Sequence, residues 1–283
     1  MMRKEHEPAA RALLVIGHPG HELRILGWVA RTKPLVCVLT DGSGSDEIPR
    51  TEQTRAVLAE TGARIGPVFG DMTDRQIYQH MLSQDGAPFE ALCERLAQLI
   101  VEQRVEIVVS DAVEGYNPTH DLCEVLTRAA VEIANTRQMH QTQHYIIPLM
   151  GDPSSLGDDM DGEQIQIVLE ADQFKHKMDA IRAYATKAGA VLQQEVEDTF
   201  RTYGEAAFSC EHLFATAAGE PHWERRFGGK QPHYEVYGEK QVAAGRYQFV
   251  IRFRQHVLPL ANGLRKHHAK AMADANGGEP CVS

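Results

Sequence analysis

The stretch Leu13-Leu14-Val15-Ile16, followed at once by Gly17-His18-Pro19-Gly20-His21-Glu22, decides the fold predicted for this chain of 283 residues. A short, continuous apolar run that stops at a turn is typical of a buried strand in a parallel sheet. Similar runs recur, with amphipathic stretches between them, at residues 35–39, 105–109 and 144–149. Strands that alternate with helices in this way predict an α/β fold: a Rossmann-like, mainly parallel sheet with helices on both faces.

The second half of the chain departs from this pattern after a loop rich in Asp, Gly and Ser at residues 151–162. We expect residues 1–150 to form the α/β core and residues 151–283 to form a C-terminal helical extension packed on it. In the extension we predict an edge strand at residues 164–170 and a long helix at 172–193. An aperiodic segment at 208–238, a final helix at 242–262 and a frayed tail at 277–283 are expected to follow. Four of its histidines could reach over a site as a lid: His212, His222, His233 and His256.

The composition excludes several classes of protein. The chain has 29 Lys and Arg against 39 Asp and Glu, a formal net charge of −10, and no local basic patch, so no nucleic-acid partner is expected. No apolar run reaches the ~20 residues of a transmembrane segment. The five cysteines are scattered without a CxxC motif, which indicates free thiols and a cytoplasmic protein. The sequence leaves open whether the chain forms a homo-oligomer.

Three loops follow strands that are expected to lie close together, and ligands bind beyond the carboxyl ends of such strands. The first loop carries His18 and His21, the second carries Asp41, and the third leads to His120 at the start of a helix. Two ligands close together and a third from a distant loop are the usual construction of a catalytic metal site with one position left for water. The three histidines are therefore the predicted metal ligands; the alternative is that they are ordinary structural histidines.

In four ordered blocks, over roughly residues 12–150, the chain resembles the PIG-L/LmbE-like family of metal-dependent de-N-acetylases. The family's HPDDE block corresponds to His18-Pro19-Gly20-His21-Glu22, and its TDG-type loop corresponds to Thr40-Asp41-Gly42. An Arg and an Ala-rich helix follow in the family, and here the stretch 50–63 looks similar. A block similar to EGxHPDHD reads Glu114-Gly115-Tyr116-Asn117-Pro118-Thr119-His120-Asp121. The resemblance implies a hydrolase with a divalent metal, zinc being the expected ion.

The resemblance also implies a substrate and a set of roles. The substrate would be an N-acylated amino sugar or sugar conjugate, from which the enzyme removes the acyl group. Two family histidines carry over as His18 and His120, whereas a ligating Asp of the family is replaced by His21. The family's general-base Asp is replaced by Gly20, which has no side chain. Its oxyanion-assisting His is replaced by Asn117, which can donate a hydrogen bond but cannot transfer a proton.

Several carboxylates could replace the missing base, and the sequence does not choose among them: Glu22, Asp41, Asp111 and Asp121. Glu22 could equally be a metal ligand or a charge that complements a helix dipole. By resemblance, Arg50 is expected to contact a polar or phosphate group of the substrate and Asp74 its sugar hydroxyls. The alternatives are a solvated charge ahead of a helix for Arg50 and a turn or cap role for Asp74. Tyr116 is the third predicted substrate-binding residue.

Two further interpretations come from other classes of protein. The first is a non-hydrolytic relative that binds a glycan or a nucleotide sugar without cleaving it, and the loss of the family's base and acid at Gly20 and Asn117 favours it. The second is a purely structural Rossmann-like module without a metal.

Overall fold

A computed structural model describes residues 11–44, 47–156, 164–216 and 231–276. Within them lies a seven-stranded sheet with the strand order β3-β2-β1-β4-β5-β7-β6. The strands are β1 (Ala12–Ile16), β2 (Leu35–Thr40), β3 (Arg64–Met72), β4 (Ile107–Asp111), β5 (Gln143–Ile147), β6 (Gln164–Val168) and β7 (Cys210–Ala215). The strands β3, β2, β1, β4 and β5 run parallel to one another, and β7 is antiparallel to its two neighbours, β5 and β6. The predicted α/β, Rossmann-like fold is confirmed.

Helices cover both faces of this sheet. They are α1 (Leu26–Thr32), α2 (Thr51–Thr61), α3 (Asp74–Ser83), α4 (Ala87–Gln103), α5 (Pro118–Arg137), α6 (Ala171–Ala188), α7 (Ala190–Tyr203), α8 (His233–Ala243) and α9 (Leu258–Asn276). Leu13 and Val15 of β1 join the core formed with α3, α4, α5 and α9, while Leu14 and Ile16 join the core formed with α1 and α2. A strand that is buried on both faces needs an apolar residue at every position, which explains the continuous apolar run.

The centre of the sheet places the ends of three elements together. β1 and β4 are parallel neighbours, with Val15 opposite Ser110, so their carboxyl ends open side by side. α5 begins just beyond β4, where the Asn117 side chain accepts a hydrogen bond from the Thr119 backbone N–H at 2.8 Å. An Asn cap followed by Pro at the first helical position is a strong start signal, so the sequence itself sets where this helix begins.

The extension differs from the prediction in its helices. The single helix expected at 172–193 is wrong: α6 and α7 are separate helices because Gly189, with φ 111°, interrupts the helical backbone between them. The final helix expected at 242–262 is also wrong. That range holds the end of α8, an irregular stretch, a π-helical turn at Phe253–Val257 and only the start of α9.

The aperiodic segment 208–238 contains a strand that the prediction missed. β7 lies between β5 and β6, and its Glu211 is buried although a glutamate normally indicates a surface position. The edge strand expected at 164–170 is confirmed as β6, which ends the sheet. The tail at 277–283 and His222 lie outside the described residues.

The extension shares the sheet and the core with the first half of the chain. β6 and β7 continue the sheet beyond β5, and Leu260, Ala261 and Leu264 of α9 are buried in the same core as α4 and α5. The division of the chain at residue 150 stays a prediction.

None of the helices in the described part of the chain is long and apolar enough to cross a membrane. Cys37, Cys93 and Cys123 are buried free thiols, as expected, and Cys210 is a half-buried free thiol. Cys281 lies outside the described residues.

Candidate functional site

Three histidine rings meet beyond the carboxyl ends of β1 and β4. His18 follows β1, His21 opens a 3-10 turn that leads into α1, and His120 lies in the first turn of α5. The ring centroids are 5.4 Å apart for His18 and His21, 5.1 Å for His18 and His120, and 4.6 Å for His21 and His120. The fold therefore brings the three predicted ligands together, while their role as metal ligands stays a prediction.

His18 is held in one orientation by two partners. Its Nδ1 lies 2.8 Å from Thr40 Oγ1 and 3.1 Å from Asp74 Oδ1. Thr40 donates its hydroxyl hydrogen to the Gly17 carbonyl at 3.1 Å, so it accepts at His18. The ring hydrogen of His18 therefore sits on Nδ1 and the lone pair on Nε2. That Nε2 atom is buried and has no hydrogen-bond partner among the described residues.

His21 is held by a carboxylate in a similar way. Its Nδ1 lies 2.9 Å from Asp111 Oδ2, and the same oxygen accepts the Gly17 backbone N–H at 2.7 Å. A carboxylate behind one ring nitrogen fixes the orientation of a histidine and leaves its other nitrogen for a ligand, as in metal sites generally. The third ring, His120, has a buried Nδ1 without a partner among the residues that the structure describes.

Burial keeps two of the rings neutral. Burial, and then electrostatic contact with His18 and Arg50, lowers the pKa of His21 well below its usual value. Burial, and then contact with His21 and His18, does the same to the pKa of His120. Because only a neutral imidazole can ligate a metal, these shifts suit a metal site at neutral pH.

The two carboxylates behind the histidines differ in their protonation. Burial alone would raise the pKa of Asp74, but the neighbouring His18 ring and the hydrogen bond from the Gly44 backbone N–H outweigh burial and lower it. Burial raises the pKa of Asp111 to about 7, against the opposing effect of the Gly17 N–H. The Asp74 side chain is only 6% exposed. Because Asp74 is buried against the His18 ring, it supports that ring. Its expected contact with sugar hydroxyls stays a prediction.

An aromatic ring closes position 20, where the resemblance seen in the sequence would place a general base. Gly20 adopts φ 103°, in the left-handed region. A Cβ atom at this position would lie 2.8 Å from two ring atoms of Tyr184 and 3.0 Å from its hydroxyl oxygen. A carboxylate at position 20 would thus need a strained backbone and a displaced Tyr184.

Among the carboxylates that could replace the base, Glu22 lies next to this closed position. It is fully buried, and its Oε2 accepts the Gly20 N–H at 2.8 Å. Burial raises the pKa of Glu22 to about 7. Asp41 instead accepts hydrogen bonds from the backbone and hydroxyl of Ser43 at 3.0 and 2.7 Å, and so holds its own loop. Asp121 accepts two backbone N–H groups of the loop before α5.

The remaining predicted residues surround the histidines. Asn117 caps α5 with its oxygen, and its Nδ2 donates to the Tyr78 hydroxyl at 3.3 Å. Arg50 donates from Nε to the Gly42 carbonyl at 2.6 Å, and its charge contributes to the lowered pKa of His21. Tyr116 is half-buried beside Asn117. Catalytic and substrate-binding roles for these side chains stay predictions.

One of the histidines expected to form a lid lies beside the site. The His233 ring stacks on Tyr116, with centroids 4.6 Å apart and the ring planes within 1° of parallel. His212 instead contacts Gln164 at the edge of the sheet, and His256 accepts the Arg252 backbone N–H inside its own turn.

Sequence reasoning missed Tyr184 and Tyr78 and did not connect Asp111 with His21. Tyr184 lies in an amphipathic helix of the extension and Tyr78 in α3, and neither segment carries a motif. Asp111 had a usable signal, since a carboxylate at the end of a central parallel strand points toward the site.

The donor types suit a divalent metal, but the described side chains do not form a closed coordination site. No group of three or more His, Cys, Asp or Glu side chains in the described ranges is arranged to hold an ion. The three rings pack edge to face, at interplanar angles of 68° to 87°. The buried ring nitrogens without partners on His18 and His120 are the observation that fits a metal, because a buried polar atom needs a partner.

Known proteins resemble this chain in their fold. No protein-family model and no curated protein matches the chain. Its structure is similar to that of the A40926 pseudoaglycone deacetylase Dbv21, with 16% identity and a TM-score of 0.51 over 75% of this chain and 100% of that one. The zinc-inhibited form of the teicoplanin deacetylase Orf2 has 12% identity and a TM-score of 0.49, over 74% and 100% of the two chains. The conserved protein TT1542 from Thermus thermophilus has 19% identity and a TM-score of 0.48, over 75% and 96%. At these identities the likeness concerns the fold alone.

Proposed function

We propose that this chain is a metal-dependent hydrolase that removes an acyl group from an N-acylated amino sugar or sugar conjugate. The observation that carries the proposal is the cluster of three histidine rings at the ends of β1 and β4, two of which are oriented through Nδ1. The similarity in fold to Dbv21, the A40926 pseudoaglycone deacetylase, supports the proposal. The buried free thiols support a cytoplasmic location.

In this proposal, His18, His21 and His120 hold the metal, with zinc as the expected ion. A zinc ion supplies Lewis acidity and lowers the pKa of water to near 7. Asp74 and Asp111 are the positioning residues, because each fixes the ring of one histidine through Nδ1. Without them the rings could rotate away from a common centre.

The side chains around the histidines would bind the substrate and stabilise developing charge. Asn117 has two N–H hydrogens on Nδ2 and uses one toward Tyr78, so the other can donate to the amide oxygen as it becomes negative. Arg50 would bind a polar or anionic group of the substrate, because it lies close enough to His21 for its charge to lower the pKa of that ring. Glu22 is the carboxylate that we assign to proton handling, because it is the buried carboxylate beside Gly20.

A second candidate function is binding of a glycan or nucleotide sugar without hydrolysis. The observation that favours it is the Tyr184 ring, which fills the space of a side chain at Gly20. Loss of a positioned general base typically costs about 10²–10⁴ in rate. A protein with such a site would keep its affinity for the sugar and lose turnover.

An assay of amine release separates the two functions. Purified protein is incubated with N-acetylglucosamine, and with its p-nitrophenyl and methyl glycosides, in the presence of added Zn²⁺ or of EDTA. The proposal expects free amine only with the metal, with the signal removed by His120→Ala and kept by His212→Ala, a histidine of β7 that contacts the edge strand β6. Binding of the glycosides without amine release under any condition would contradict hydrolysis and favour the binding function.

A further inference from the structure

A set of aromatic rings begins at Tyr116, the residue before Asn117, and continues onto the surface. We call Tyr116, His233, Tyr237 and Tyr247 the aromatic platform. Tyr116 and His233 are stacked with centroids 4.6 Å apart, and His233 and Tyr237 are nearly parallel at 6.3 Å and 24°. Tyr247 meets Tyr237 edge to face, also at 6.3 Å. The rings thus form one continuous row.

The row is exposed where a ligand could reach it. Tyr237 is 47% exposed and Tyr247 is 44% exposed, and His233 is also exposed. Burying large aromatic rings is a major source of stability, so exposed rings gathered in one place indicate a binding surface. Isolated exposed aromatic residues would need no such explanation.

Backbone and side-chain contacts hold the platform in place. Tyr116 immediately precedes Asn117, and its hydroxyl donates to Glu195 of α7 at 3.3 Å. The backbone N–H at the start of α8, from Tyr234, donates to the Gly115 carbonyl at 3.4 Å. At the other end of the row, the Tyr247 backbone N–H donates to the Gln241 carbonyl at 3.3 Å. The loop that leads to His120 therefore carries Tyr116 and holds the start of α8, the helix that carries His233 and Tyr237.

We propose that the aromatic platform is a subsite for a flat aromatic ring carried by the substrate, next to the acylated amino sugar. This inference rests on the proposed function for the sugar, and it adds the chemical class of the group that the sugar is attached to. Aromatic rings attract one another in offset-stacked and edge-to-face arrangements, and the platform already uses both among its own members. Tyrosine and histidine rings are rigid, so little conformational entropy is lost when a ligand ring packs on them.

The test compares three probes by NMR titration of the full-length protein with EDTA present, so that binding is read without turnover. The probes are p-nitrophenyl N-acetyl-β-D-glucosaminide, the methyl glycoside of the same sugar, and p-nitrophenol alone. We expect the aryl glycoside to bind about 3- to 10-fold more tightly than the methyl glycoside. Tyr237→Leu and Tyr247→Leu should each reduce this preference, while Tyr203→Leu, an exposed tyrosine of α7, should leave it unchanged.

The outcomes separate the subsite from the proposed function. Equal binding of the aryl and methyl glycosides would overturn the subsite and leave the sugar site intact. A preference that persists in both Tyr237→Leu and Tyr247→Leu would also overturn it. Binding of p-nitrophenol that depends on Tyr237, with no binding of the methyl glycoside, would support the subsite and leave the sugar to the amine-release assay with Zn²⁺. If none of the three probes binds, the subsite fails, and the same assay decides the proposed function separately.

Discussion

Replacing Gly20 by alanine should destabilise the protein for two separable reasons. The first is backbone strain, since Gly20 has φ 103° and left-handed conformations cost an L-residue about 1–2 kcal/mol. The second is steric, because the new Cβ would lie 2.8 Å from two ring carbons of Tyr184. Overpacking of this kind costs about 1–3 kcal/mol. The sum predicts a loss of about 2–5 kcal/mol in the free energy of unfolding.

A double-mutant cycle isolates the steric part. Tyr184→Leu removes the ring atoms that a Cβ at position 20 would meet and keeps an apolar side chain on α6. In that background, Gly20→Ala should cost about 1–3 kcal/mol less than in the wild type, because only the backbone strain is left. Gly245→Ala is the matched control, since Gly245 also has a positive φ, of 70°, and a Cβ there would meet no described atom within 4 Å.

Urea denaturation of the four proteins of the cycle, followed by circular dichroism, gives these free energies. The reasoning would be refuted if Gly20→Ala cost the same in both backgrounds, within about 0.5 kcal/mol. The result matters for the proposed function, because a steric block by Tyr184 would leave no room for a carboxylate at position 20. It also predicts that Gly20→Asp alone fails to create a general base.

Three further predictions concern buried and surface charges. Glu211→Ala should lower the free energy of unfolding, measured in urea, by about 3–5 kcal/mol. Glu211 accepts a hydrogen bond from the buried Lys177 at 2.9 Å, and its loss would leave a buried charge without its partner. A loss below about 1 kcal/mol would contradict the pairing. Glu114 accepts the backbone N–H groups of residues 149–151 at 2.8 to 3.2 Å, so Glu114→Ala should speed hydrogen exchange of those amides, and unchanged exchange would exclude this role. The hydrogen bond from Arg137 lowers the pKa of Glu94 in the folded protein. The ionised Glu94 side chain therefore adds to the free energy of unfolding above its unfolded-state pKa, and this stabilisation is lost as the pH falls through its folded-state pKa. In Glu94→Gln, the free energy of unfolding should therefore fall less steeply below pH ~4.5 than in the wild type, by less than about 1 kcal/mol because Glu94 is partly exposed. Urea denaturation at several pH values measures this difference, and a steeper fall in the variant would contradict the prediction.

The centre of the fold and the histidine cluster could be predicted because local signals agree with the tertiary structure there. The continuous apolar run of β1 follows from burial on both faces, and the Asn117-Pro118 pair marks the start of α5. Once β1 and β4 are placed in the middle of a parallel sheet, the loops that carry His18 and His120 have to meet. The prediction of three neighbouring histidines thus needed only topology.

The rest of the site depends on contacts between segments that carry no local signal. Tyr184 belongs to α6, and nothing in its helix indicates that its ring fills the space beside Gly20. β7 was missed because Glu211 looks like a surface residue, although Lys177 and two backbone N–H groups satisfy it in the interior. Such pairings are decided by tertiary packing, which neither periodicity nor spacing reveals.

Metal content measured by elemental analysis tests the central claim most directly. Wild-type protein is compared with His18→Ala, His120→Ala and the control His212→Ala after zinc reconstitution, with circular dichroism to establish that each is folded. The account predicts about one metal ion per chain in the wild type and in the control, and loss of the ion in both site variants. No bound metal in the wild type, or a metal content that the site variants leave unchanged, would contradict the three-histidine site and the hydrolase built on it.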